Sequence, residues 1–264
     1  MNGAIRSEFR KIFTTRLWWG MAIGVVVVGG GLAAVLGGLA GQGEGQNALP
    51  ALDKPGMVTT VYTAGLSLAY LLTLAIGVMV IGAEYRHKTI TATFLSTPRR
   101  VEVMLAKVVA LLGVGAFYGV LFCLSSVGVG ATIISLRGFD PFPAGEHVWR
   151  TLALSLLALG LWALIGLGAG ILISNQVAAL LISIGIAWIG QSLMSLAFLA
   201  LHWTTANELL PANATNAMVS GLSRGFSGEA VDQLSWWGGA LVLAAYAAVL
   251  AGIGSFLTVR RDVT

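Results

Sequence analysis

One cysteine, three histidines and no glycine-lysine pair in 264 residues remove several kinds of chemistry at once. The single Cys123 excludes an intrachain disulfide, and its place inside an apolar run reads as a small packing residue. His87, His147 and His202 are isolated, with no His-Glu-x-x-His spacing and no Cys/His cluster, so the sequence offers no metal centre. None of the four lysines, Lys11, Lys54, Lys88 and Lys107, follows a glycine, which excludes a P-loop for nucleotide phosphates. Charge is scarce as well: 10% of the residues are charged against 57% hydrophobic.

Against these absences stand six long apolar runs without a charged side chain, at residues 17–40, 57–83, 108–136, 152–173, 177–201 and 236–257. Each meets the roughly 20 residues that a helix needs to cross a hydrocarbon layer of about 30 Å. The chain therefore reads as an all-α integral membrane protein, one transmembrane domain over residues 1–264. Ion-coupled carriers place ionisable groups inside the bundle, and here all eleven acidic residues and all three histidines lie outside the runs. An enzyme active site is not expected, and no cofactor.

The net charge of +4 is spread over the flanks of the runs rather than gathered in one patch, which argues for orientation and against nucleic acid. Lys54, Arg137, Arg150 and Arg224 fall on one side; the other eleven basic residues fall on the side of both termini, so both termini are expected in the cytoplasm. The 24 apolar residues of the first run exceed a signal-peptide core, and the run is expected to be retained. Trp18, Trp19, Trp149, Trp203, Trp236 and Trp237 mark headgroup levels at span borders, whereas Trp162 and Trp188 sit deeper and read as packing residues. Ahead of the first run, Ile5, Phe9, Ile12 and Phe13 make one apolar stripe, with Arg6, Ser7, Glu8, Arg10 and Lys11 between them. Such a helix lies in the membrane interface.

The stretch from Glu84 to Lys107 is the one sizeable inner loop. Thr89 can cap a short helix that presents Ile90, Phe94 and Leu95, and Thr97-Pro98 reads as the N-cap and first residue of the next long helix. This pattern suits a docking knob for a soluble partner or a helix lying on the bilayer surface. Glu84 and Arg86, where the second run leaves the membrane, either hold that segment through charge-assisted hydrogen bonds or are solvated flank charges. On the other side, residues 202–235 form the longest non-spanning segment, with apolar pieces suited to short helices at the outer leaflet.

Inside the spans the polar residues are neutral. Thr60, Thr63, Ser67 and Tyr70 recur at three-four spacing, and Gln176, Ser183, Gln191 and Ser195 share about a third of a helix circumference. They read equally as cavity walls and as interhelical hydrogen-bonding groups. Glycine pairs four apart, Gly20/Gly24, Gly115/Gly119 and Gly166/Gly170, mark places where helices can approach closely.

Glu84-Tyr85-Arg86-His87-Lys88-Thr89-Ile90, then Phe94-Leu95, then Thr97-Pro98-Arg99-Arg100, resembles the inner loop of the membrane subunits of ABC type-2 exporters. Leu209-Leu210-Pro211-Ala212-Asn213 and the ending Arg260-Arg261-Asp262-Val263 are similar to that family's outer loop and tail, and Lys88 stands where many members have glycine. The resemblance implies an ABC type-2 exporter-like permease of the bacterial cytoplasmic membrane. Six spans would follow an interfacial elbow helix. It further implies that residues 89–96 form a coupling helix, that Glu84, Arg86, Thr89, Ile90, Phe94 and Leu95 couple to an ATPase, and that the outer loop forms re-entrant helices. The partners would be separate ABC ATPase subunits, which carry the ATP and Mg, and a second permease chain, identical or related. The function then expected is export of amphiphilic, drug-like, peptide or lipid-like cargo. A membrane anchor, sensor or immunity subunit without a defined cargo is the alternative, and an ion-driven carrier a third.

Overall fold

Among the described residues six helices are long and apolar enough to cross a membrane, one for each apolar run. The computed structural model describes residues 2–43, 49–87, 100–173, 175–220 and 234–260. The described elements begin with α1 (Asn2–Phe13), α2 (Leu17–Leu39), α3 (Met57–Thr63), α4 (Leu66–Arg86), α5 (Arg100–Leu136) and α6 (Val148–Leu172). They continue with α7 (Gln176–Gly185), a π-helical turn (Ile186–Gly190), α8 (Gln191–Ala200), α9 (Thr204–Glu208), α10 (Pro211–Ser220) and α11 (Trp236–Arg260). Among the described residues there is no strand.

The second and fourth spans form the centre. In their most apolar windows 67% and 72% of residues are buried, against 22% and 17% in the fifth and sixth spans. Small residues explain why α4 and α6 make the most extensive helix pair. A Cβ at Gly77 would overlap the Ala163 carbonyl, and one at Gly166 would overlap the Leu74 carbonyl, so the two backbones touch. Lipid tails are as apolar as leucine, so helix association in a bilayer rests largely on van der Waals packing and interhelical hydrogen bonds, and small residues let backbones pack closely. Gly115 and Gly119 meet α6 in the same way, whereas Gly20 faces open space. The outward leucines of the fifth span, such as Leu181, Leu193 and Leu196, suit a lipid-facing surface.

The helices depart from the apolar runs in three places. The second run is interrupted at residues 64–65, where a Cβ at Gly65 would lie 2.6 Å from the Val28 carbonyl oxygen. The third helix begins at Arg100, eight residues before the apolar run, which brings Lys107 inside the bundle. The fifth span carries the π-helical turn in its middle. Trp188 lies in that turn and is 53% exposed, so it does not pack inside as expected, while Trp162 is fully buried.

The π-helical turn has a physical consequence. Along the fifth span the inward residues are Ala179, Ser183, Ala187, Gln191 and Ser195, every fourth position. In a straight α-helix a four-residue step drifts about 40° each time, and the extra residue of a π-turn takes back about 100°. The turn therefore keeps one polar-edged stripe facing the bundle over the whole span.

Helix α1 lies against α5 and the start of α2. Phe9 fills the space over Gly113, and Phe13 meets Trp18 and Phe117 edge-on at ring separations of 5.5 and 5.8 Å. The Tyr118 hydroxyl donates to the Trp18 carbonyl at 2.9 Å, which fixes the corner between α1 and α2. At the opposite end of the bundle, the Glu146 carboxylate caps α3 by accepting from the backbone N–H groups of Gly56 and Thr59. Arg137 donates to the Gly37 and Ala40 carbonyls there and closes the end of α2.

Candidate functional site

Four charged side chains from three helices meet at the α1 end of the bundle. Lys107 of α5 is 2% exposed and donates to Glu84 Oε1 of α4 at 2.6 Å and to Glu8 Oε2 of α1 at 2.7 Å. Lys11 of α1, half-exposed, donates to Glu8 Oε1 at 2.6 Å and to Glu84 Oε1 at 2.8 Å. Two lysines and two glutamates make the cluster neutral, the condition under which buried charge is tolerable. Burial works against the charge of Lys11, but its hydrogen bonds to Glu8 and Glu84 prevail and raise its pKa above the ordinary lysine value. Glu84 and Glu8 are 5% and 3% exposed, so neither is a solvated flank charge.

A cavity of about 400 Å³ opens beside this cluster. Its wall includes Lys11, Trp18, Met79, Glu84, Tyr118 and Gln176. Glu84 Oε2 and Gln176 Oε1, both buried, have no hydrogen-bond partner among the described residues. Buried polar atoms are nearly always paired, so two orphan acceptors on side chains that line one cavity single out this place.

A second cavity, of about 510 Å³, lies at the other end and includes Ser67, Tyr70, Trp188, Gln191, Ser195 and Asn213 in its lining. It is neutral. Gln191 accepts from the Ala212 backbone N–H at 2.7 Å and donates to the Ala187 carbonyl at 3.1 Å, tying the fifth span to the start of α10. Ser195 donates to Asn207 Oδ1 at 2.7 Å, and the Asn213 amide donates to the Asn207 backbone carbonyl at 2.7 Å. Tyr70 stacks on Trp162 at a ring separation of 4.1 Å, and the Trp162 indole N–H donates to Thr215 at 2.9 Å.

The polar residues singled out in the sequence thus divide. Ser67, Tyr70, Gln191 and Ser195 share the neutral cavity, and Gln176 lines the charged one. Ser183 is buried between them and lines neither. Thr60 and Thr63 line neither as well; their hydroxyls donate to the carbonyls of Gly56 and Thr59 within their own turn of helix. Of the residues expected to couple to an ATPase, Glu84 is in the ion cluster and Arg86 is exposed. Thr89, Ile90, Phe94 and Leu95 lie outside the described residues.

Sequence reasoning missed Glu8, Lys11 and Lys107 as site residues and treated them as flank charges. A signal was present. Glu8 falls between Ile5 and Ile12 on the buried stripe of α1, and Lys107 shares the inward face of α5 with Val103, Ala106, Ala110 and Val114. A charge in register with a buried stripe needs a partner of the opposite sign.

A scan of the chain against protein-family models finds no match, and a search of curated proteins finds none either.

Proposed function

We propose that this chain is the membrane-spanning permease subunit of an ATP-driven exporter, working with a second permease chain and two separate ATPase subunits. In this reading the chain itself performs no chemical step, and ATP is hydrolysed in the partner. The observation that carries it is the ion cluster taken together with the inner-loop pattern. Glu84 lies just before residues 88–99 and Lys107 just after them, and one Lys107–Glu84 ion pair of 2.6 Å joins the two ends. A push on that loop by a soluble partner would act on α4, α5 and α1 as one body. Neutralised and buried ion pairs resist separation because parting them leaves a bare charge in low dielectric.

The mechanism would be alternating access. Closure of the paired ATPases moves the coupling segments, and the two bundles rock about their contact so that a cavity changes side. The neutral lining of Ser67, Tyr70, Gln191 and Ser195 suits amphiphilic, drug-like, peptide or lipid-like cargo better than ions. The test is to co-express the chain with ABC ATPase subunits and to measure complex mass and cargo-stimulated hydrolysis in liposomes. Two copies of the chain or of a related permease, with hydrolysis weakened by Phe94→Ala, are the expected outcome. Transport driven by an ion gradient in liposomes without ATP would overturn the reading.

A further inference from the structure

Two residues that line the cavity at the α1 end carry buried acceptors with no partner among the described residues. Glu84 gives its Oε1 to both lysines and leaves Oε2 without a partner, although the residue is 5% exposed. Gln176, at the first turn of the fifth span, leaves Oε1 in the same condition. Both residues line one cavity of about 400 Å³, within the roughly 300–1,000 Å³ of small-ligand sites. A group that donates hydrogen bonds in two directions would satisfy both atoms, and a charged donor binds a carboxylate oxygen more strongly than a neutral one.

The remaining lining defines the rest of such a ligand. Lys11 is 43% exposed on its side chain and has three N–H donors, of which two are used by Glu8 and Glu84. Its third is not used among the described residues. Leu17, Trp18, Ile76, Met79 and Val80 supply an apolar wall. Thr14, Thr15 and Trp18, at the bend between α1 and α2, also line the cavity, and indole rings commonly settle among lipid headgroups. The cluster is already neutral, so an added cation has to bring its own anion.

We propose that this cavity binds a phospholipid with a primary-ammonium headgroup from the leaflet on the α1 side. The ammonium N–H groups bridge Glu84 Oε2 and Gln176 Oε1, the phosphate sits toward Lys11, and an acyl chain follows the apolar wall. The site stands independently of the exporter reading, since a bound lipid serves an anchor as well as a transporter.

Native mass spectrometry of the delipidated full chain, titrated with phosphatidylethanolamine or phosphatidylcholine of identical acyl chains, tests it. Choline matches the ammonium in charge but has no N–H donor. The ethanolamine lipid is expected to be retained at least about tenfold more tightly. Gln176→Leu, which breaks no hydrogen bond of that oxygen, is expected to abolish most of that preference while the thermal transition stays near wild type. Glu84→Gln is the stronger variant, read only if its far-ultraviolet circular dichroism is unchanged. Equal retention of the two lipids, or a preference that survives Gln176→Leu, would mean that the orphan oxygens take water and would overturn the proposal. Displacement of the lipid by equimolar soluble glycerophosphoethanolamine would overturn the lipid source in favour of a free amine.

Discussion

At the α1 end of the bundle four ionised side chains hold three helices together; at the opposite end Gln191, Ser195, Asn207 and Asn213 hold the fifth span to α9 and α10 without any charge. Both layers satisfy polar groups between apolar helices, but they fail differently. Removing one partner from the charged layer strands an ion in low dielectric, whereas removing one amide strands a single dipole. The charged layer is therefore the one in which loss of a single partner is expected to cost more, and the neutral layer the one in which it is expected to cost less.

The largest expected effect breaks the charged layer. Lys107→Met removes the one buried cation between Glu8 and Glu84 and leaves only the half-exposed Lys11 to pair both carboxylates, and a loss of about 3–5 kcal/mol is expected. Thermal unfolding in detergent reads it, and a loss no greater than that of Gln191→Leu would erase the distinction between the layers. The triple variant Glu8→Gln, Glu84→Gln, Lys107→Met sharpens the point, because it removes the buried charges together. It is expected to recover more than half of the stability lost by Lys107→Met alone, since a buried ion group replaced as a whole is often neutral in energy. If the triple variant is the least stable of all, the charges themselves hold the fold.

On the neutral side, Gln191→Leu takes the acceptor from the Ala212 backbone N–H at the start of α10. A cost of about 1–3 kcal/mol is expected, the penalty of one buried unsatisfied donor. Hydrogen exchange at Ala212 is expected to accelerate while exchange in α4 and α6 stays slow. Uniform acceleration would mean that the two ends unfold as one.

The smallest effect is that of Lys11. It is half-exposed, so solvent screening limits Lys11→Met to less than about 1 kcal/mol. Its pKa is raised in the fold above the ordinary value of 10.5. Its contribution is thus complete below that value and is lost only as pH rises through the higher folded pKa. The Lys11 contribution to melting temperature, taken as wild type minus Lys11→Met, is therefore expected to be flat from about pH 6 to 9 and to fall only in strong alkali. A decline near neutrality would show that Lys11 is not paired with Glu8 and Glu84.

Much of this architecture was legible because a bilayer makes hydrophobic length informative. Runs such as 152–173 and Val148–Leu172 nearly coincide, since every backbone group in hydrocarbon must be bonded within its own helix. Ser67, Tyr70, Gln191 and Ser195 of the neutral cavity could be singled out for a related reason: each pair repeats at three-four spacing on one helical face. Thr60 and Thr63 repeat just as well, yet they bond to their own backbone, because spacing reports a face and not what that face meets. The π-helical turn at Ile186–Gly190 left no periodic trace in a segment apolar on nearly every side.

The six spans, the amphipathic first helix and the scarcity of charge follow from local composition, because the cost of placing polar groups in lipid is set residue by residue. Which charges are buried does not. Glu8, Glu84 and Lys107 are separated by 76 and 23 positions in the chain, and each alone is an ordinary flank charge. Only the packing of α1 across α4 and α5 brings them within hydrogen-bond reach, and only that packing leaves one oxygen of Glu84 and one of Gln176 without a partner among the described residues, on two side chains that line one cavity. Burial and pairing are properties of several helices together, so the tertiary structure alone decided them.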